Sequence, residues 1–156
     1  MNTALRKATL TDIPDIIKIH RDIWRDVYRI CVPARLLDDP NFMTPAYLSQ
    51  QMALFIAADN VYVACDNQNK VLGFTVWQKS GKINRLYVNQ KFARKGIGSA
   101  LFSYALKNIR TTEQSPFVWT ITNYQPANNF YLKMGGKLTE TKFDQRLGIQ
   151  MNKYQF

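Results

Sequence analysis

The chain has 156 residues, about one domain by length, and its 46% hydrophobic and 21% charged residues exclude a disordered chain and permit a real core. No apolar run approaches the about 20 residues that a bilayer crossing needs, and MNTALRKATL lacks the apolar centre of a secretory signal, so a cytoplasmic location is expected. The net charge of +10 favours an anionic partner such as nucleic acid, a phosphorylated cofactor or an acidic substrate, but no run of five cations makes an electrostatic tail.

Cys31 and Cys65 sit inside apolar runs without metal-type spacing, so two buried, reduced thiols are expected. In chain order, ALRKATL (4–10) reads as a first strand. Thr11 or Asp12 then caps a helix whose first turn holds Pro14 and Asp15. Ile13, Ile16, Ile17, His20, Trp24, Val27 and Tyr28 recur there at helical spacing. A proline-marked loop leads to a second helix from about Thr44 to Ala57, with Pro45 suited to its first turn.

The period then changes to that of strands. VYVAC (61–65), VLGFTVWQ (71–78) and KINRLYV (82–88), joined by polar turns, predict an antiparallel meander. KFARKGIGSALF (91–102) opens a helix over roughly 97–110, with Ile97, Leu101, Ala105 and Ile109 in one stripe. FVWTI (117–121) reads as a buried strand, NNFYLKMGG as a helical piece stopped by Gly135 and Gly136, and KLTET and IQMNKY as two closing strands. The order β-α-α-β-β-β-α-β-α-β-β predicts a mixed sheet with helices on both faces.

A strand, a glycine turn and a helix N-terminus make an anion site, because free amides and the helix dipole point at one place. Gly96 and Gly98 cannot supply a Walker loop, and Leu101 stands where a dinucleotide fingerprint needs its third glycine. Taken with NNFYLKMGGK downstream and IHRDIWRDVYRICVPARLL upstream, RLYVNQKFARKGIGSALF resembles the GNAT superfamily of acetyl-CoA-dependent N-acetyltransferases. The resemblance runs along essentially the whole chain as a single domain, 1–156. It implies an α/β (α+β) GNAT fold with about seven mostly antiparallel strands, splayed at the centre.

That resemblance also implies roles. The amides of Arg94, Lys95, Gly96, Ile97, Gly98 and Ser99 would hold the pyrophosphate of coenzyme A, helped by local cations. Ala93 stands where the family usually has Gln or Arg, and Arg94 where glycine is common. Arg85, Leu86, Tyr87 and Val88 form the strand that would pair with the pantetheine arm, and a backbone amide near Tyr87 or Val88 would hold the carbonyl oxygen. Asn123 and Asn128 are candidates for a further pantetheine contact, although Asn128 equally suits a helix cap.

Tyr131 aligns with the family's general acid, and a phenol donates a proton without first being charged. The base is unassigned: KINRLYV carries no glutamate, Lys82 and Asn84 filling those positions. His20, Trp24, Tyr28 and Trp77 are candidate walls of the acceptor pocket, and all four equally suit a core. The implied reaction moves an acetyl group to a primary amine of a small molecule or protein, with nucleic acid entering only as a tRNA-borne acceptor. No membrane partner is expected, and the assembly is a monomer or homodimer. Two other readings are a CoA-binding sensor without catalysis and a basic nucleic-acid-binding module, the latter lacking a visible stripe of cations and exposed aromatics.

Overall fold

In a computed structural model of the chain, residues 3–156 are described. The first strand, β1 (Ala4–Lys7), ends earlier than expected. A tight turn follows because Asp12 is tied back: it accepts from the Thr9 amide at 2.7 Å and from the Arg6 guanidinium at 2.7 and 2.9 Å. Burial opposes ionisation of Asp12, but Arg6 and Thr9 outweigh it and hold its pKa below the usual range.

Helix α1 (Ile13–Asp22) begins with proline in its first turn, as the sequence predicts. It buries Ile16, Ile19 and His20, and Ile17 remains half-buried, contrary to the expected stripe. The helix then widens into a π turn over Ile23–Val27 and tightens into a 3₁₀ turn over Tyr28–Ile30. Such a widening inserts a residue into the helical register and often marks a functional site. Here it buries Ile23 and Trp24 together. A four-residue helix, α2 (Ala34–Leu37), precedes α3 (Pro45–Ala57), whose Thr44 hydroxyl accepts from the Tyr47 amide at 3.2 Å.

The strands β2 (Val61–Cys65), β3 (Val71–Trp77) and β4 (Lys82–Val88) make the expected antiparallel meander. Helix α4 (Ile97–Ile109), β5 (Phe117–Ile121), α5 (Gln125–Lys133), β6 (Lys137–Asp144) and β7 (Ile149–Gln155) follow. One seven-stranded sheet results, ordered β1-β2-β3-β4-β5-β7-β6, in which only β4 and β5 run parallel.

Helices cover both faces. Ile16, Ile19, Ile23 and Met52 pack on Val61, Val63, Phe74 and Val76 on one side. On the other, Ile97, Leu101, Phe102, Ala105 and Ile109 pack on Leu72, Trp77 and Ile83, so the predicted α4 stripe is the buried one. Each fully buried side chain of this size contributes about 1.5–3 kcal/mol relative to exposure. Cys65 is buried and free, whereas Cys31 is only half-buried, because it lies in the loop after the 3₁₀ turn.

Candidate active site

The parallel pair β4–β5 is the origin of the site. The two strands are in register only at Lys82↔Phe117 and Ile83↔Val118. Beyond that point they part, and the inner edges of both strands open onto a cleft of about 790 Å³. A register shift in the β3–β4 ladder sits between Val76/Arg85 and Trp77/Ile83, leaving Asn84 as the extra residue. Such a bulge bends a strand locally. The cleft is lined by Leu86, Tyr87 and Val88 on β4 and by Trp119, Thr120 and Ile121 on β5.

The glycine loop closes one end. The chain leaves β4 through a turn in which the Asn89 side chain accepts from the Lys91 amide at 3.0 Å. Arg94 then adopts φ +60° and Gly96 φ +82°, both left-handed. The family's glycine is common at the position of Arg94, and that backbone conformation is the reason: a side chain there is strained by about 1 kcal/mol. Arg94, Gly96, Gly98 and Ser99 line the cleft. A Cβ added to Gly98 would meet only Val88 and Phe130, at 3.7 and 3.9 Å, so the glycine keeps the cleft floor low. The first amides of a thirteen-residue helix have no partner within the helix, and its N-terminus stands at this end of the cleft. Lys95 and Ile97 differ: the Lys95 ammonium lies 5.4 Å from the Phe92 ring centre, and Ile97 is on the buried face of α4.

Tyr131 on α5 forms part of the cleft wall and is almost fully buried among Phe102, Phe130 and Tyr154. Burial, then the neighbouring Tyr87, pushes its pKa well above the ordinary phenol value. The side chain is therefore a neutral proton donor across the physiological range. Asn128 has a different part from either expected one. Its Nδ2 donates to the carbonyls of Ile121, Thr122 and Tyr124, and its Oδ1 accepts from Tyr154 Oη at 2.8 Å and Asn152 Nδ2 at 3.0 Å. It ties α5 to β5 and β7 and has no free valence for a ligand. Asn123 is exposed, and its carbonyl accepts from the Cys31 thiol at 3.8 Å. Tyr124 precedes α5 as its N-cap and reaches the cleft instead.

The opposite end is aromatic. Trp24 donates from Nε1 to Tyr87 Oη at 3.3 Å, and the Trp24 and Tyr28 rings meet edge-on at 5.2 Å. Burial raises the phenol pKa of both Tyr28 and Tyr87. His20 is 2% exposed, and its Nδ1 has no hydrogen-bond partner. Burial, then the charge of Arg85, lowers its pKa to about 3, so the imidazole is neutral and a weak proton acceptor. Of the four expected acceptor walls, His20, Trp24 and Tyr28 line the cleft. Trp77 does not: it lies under α4 with Leu72 and Ile83, because alternation along β3 puts it on the face opposite Phe74 and Val76. The side chains of Arg85, Lys82, Lys142 and Arg146 also line the cleft, which the sequence reading does not predict. The one local signal is an arginine in the middle of a strand, next to Leu86.

The fold is a sheet split at one parallel pair, with a glycine loop and a helix N-terminus at the split, an architecture shared with acyltransferases. The family profile described as "Acetyltransferase (GNAT) domain" matches residues 38–156. This chain belongs to that acetyltransferase family. It is 29% identical over 136 residues to the uncharacterised N-acetyltransferase YuaI of Bacillus subtilis (strain 168), covering 81% of this chain and 76% of that one. It is similar in fold to the PaiA N-acetyltransferase of Thermoplasma acidophilum, solved in complex with coenzyme A (TM-score 0.81, 17% identity, 100% of both chains). A GCN5-related N-acetyltransferase of Rhodopseudomonas palustris matches equally well (TM-score 0.80, 16% identity, 99% of this chain and 95% of that one). Acyltransferase activity follows from the family, and neither the nucleic-acid-binding nor the non-catalytic reading is favoured. No helix among the described residues is long and apolar enough to cross a membrane.

Proposed function

We propose that the chain, as a single domain, moves an acetyl group from acetyl-CoA to a primary amine by direct attack in a ternary complex. The observation that carries this is the gap between β4 and β5, closed at one end by the α4 amides and walled by Tyr131. The α4 amides, with Arg94, are suited to a pyrophosphate by charge-assisted hydrogen bonds. The edge of Leu86, Tyr87 and Val88, unpaired on the β5 side, suits an amide-bearing arm in the way an edge strand suits a peptide. Bound acetyl-CoA would supply the activated acetyl group as a thioester.

The chain's own groups then serve three tasks. A main-chain N–H of the Tyr87–Val88 segment holds the carbonyl oxygen as negative charge develops there. The Tyr131 hydroxyl holds a proton for the departing sulfur, its raised pKa keeping that proton in place until it is needed. The aromatic wall of Trp24, Tyr28 and Tyr87 excludes water from the attacking amine. The amine sheds its proton to bulk solvent before it reaches this wall, because β4 carries no carboxylate and His20 is held neutral with little basicity.

Calorimetric titration with acetyl-CoA, followed by thiol release over an amine panel, tests this function. Tyr131→Phe is expected to lower turnover by about a hundredfold with acetyl-CoA affinity almost unchanged. Absence of binding at near-millimolar acetyl-CoA would overturn the function, and equal turnover of the two proteins would remove Tyr131 from it.

A further inference from the structure

Beyond the bulge at Asn84, the side chains of β4 alternate between two faces. Leu86 and Val88 pack toward α4, while Arg85 and Tyr87 face α1 and α3. Arg85 lines the acceptor half of the cleft, with its guanidinium carbon 5.6 Å from the centre of the Phe55 ring. Its Nη1 is buried and has no hydrogen-bond partner. Arginine stays charged in a protein, so this is a half-buried cation with one buried nitrogen and no ion pair among the described residues, an arrangement that folding alone does not favour. Burial lowers its pKa from the ordinary value, in keeping with that cost.

The surroundings add charge of the same sign. Lys82, Lys142 and Arg146 line the same cleft. Burial, then the charges of Lys142 and Arg85, lowers the Lys82 pKa, and the charge of Asp144 offsets only part of this. The one carboxylate among the lining residues, Asp144, is engaged in the β6–β7 turn, where Oδ1 accepts from the Leu147 amide at 2.9 Å. Lys82 and Arg85 precede Leu86, Tyr87 and Val88 on β4, whereas the glycine loop follows that strand, so the phosphates proposed to bind at the loop do not account for these two cations.

We infer that the acceptor amine carries an acidic group, a carboxylate or a phosphate, and that Arg85 binds it while Lys82, Lys142 and Arg146 attract it. The guanidinium fork matches either anion with paired hydrogen bonds. A second ammonium on the acceptor meets the same cations and is repelled, so diamines and polyamines are excluded as good acceptors. The Phe55 ring beside the guanidinium narrows the orientations of the fork, which suits a small acceptor better than a long basic peptide.

This specificity rests on the acetyltransferase reading, so binding and turnover are measured separately. The full chain, loaded with coenzyme A, is titrated calorimetrically with amino acids of increasing chain length, their amides, the matching diamines and aminoalkyl phosphates. An acidic amine is expected to bind at least about tenfold more tightly than its amide, and the diamine more weakly than both. The carboxylate and phosphate arms distinguish the two sources of negative charge. Arg85→Gln is expected to bring the acid-to-amide ratio close to one, and Arg85→Lys to retain part of it. Because the readout is a ratio within each protein, a general loss of affinity does not imitate the effect. Equal affinities across the wild-type panel, or a preference that persists in Arg85→Gln, would overturn the inference. A preserved binding preference with no acetyl transfer to any member would sink the transferase reading and leave the anion subsite standing.

Discussion

His20 illustrates how one residue is set by its surroundings. The helix puts it on the buried face of α1, against the Tyr87 ring at 5.2 Å and near the Arg85 cation. Its pKa falls from the ordinary 6.5 to about 3 in the folded chain. The unfolded chain therefore binds the extra proton first, and this contribution to stability is complete above about pH 6.5 and lost as pH falls toward 3. Between pH 7 and pH 5 the loss from this residue is about 2 kcal/mol. Urea unfolding of wild type and His20→Gln at both pH values measures it: the variant should show a shallower pH dependence, and parallel curves would refute the assignment. His20 was legible as a candidate from its place on the helix. Its neutrality was not, because that depends on burial and on a cation 65 residues further along the chain.

At the scale of elements, α5 owes its position to a side chain that the sequence offered only as a ligand or a cap. Asn128 satisfies three carbonyls at the β5–α5 turn and accepts from Tyr154 and Asn152 on β7. Removing it strands several buried polar groups at once. Asn128→Ala should cost about 3 kcal/mol and lower the melting temperature by roughly 10 °C. Asn123→Ala, five residues earlier and exposed, should stay within about 0.5 kcal/mol. Chemical denaturation of the two variants decides it, and a tolerated Asn128→Ala would deny the residue its part as a strut. The same scale explains two other departures. The first strand stops at Lys7 because Arg6 and Thr9 hold Asp12 in a turn, and the first helix widens at Ile23, which no periodicity announces.

For the whole molecule, the net charge of +10 acquires a location. Arg94, Lys133, Lys82, Arg85, Lys142 and Arg146 all line the cleft. A cleft lined by one sign of charge concentrates anions, and salt weakens that attraction as the screening length shrinks. Acetyl-CoA affinity measured at 50 and 500 mM sodium chloride should therefore fall by about fivefold. Affinity insensitive to salt would mean that the basic charge serves something other than this cleft.

The order of elements, the α4 stripe, the meander and the family resemblance were all present in the sequence, because each depends on neighbours within one element or on the spacing of a motif. KFARKGIGSALF, with its left-handed Gly96, marked the anion end in the same local way. The tertiary structure alone decided where the strands part, that Trp77 and Asn128 belong to the framework, and that Arg85 stands half-buried with its Nη1 unpartnered among the described residues. Those properties come from residues distant in sequence sharing one space, where burial and the sum of nearby charges settle what each side chain can do.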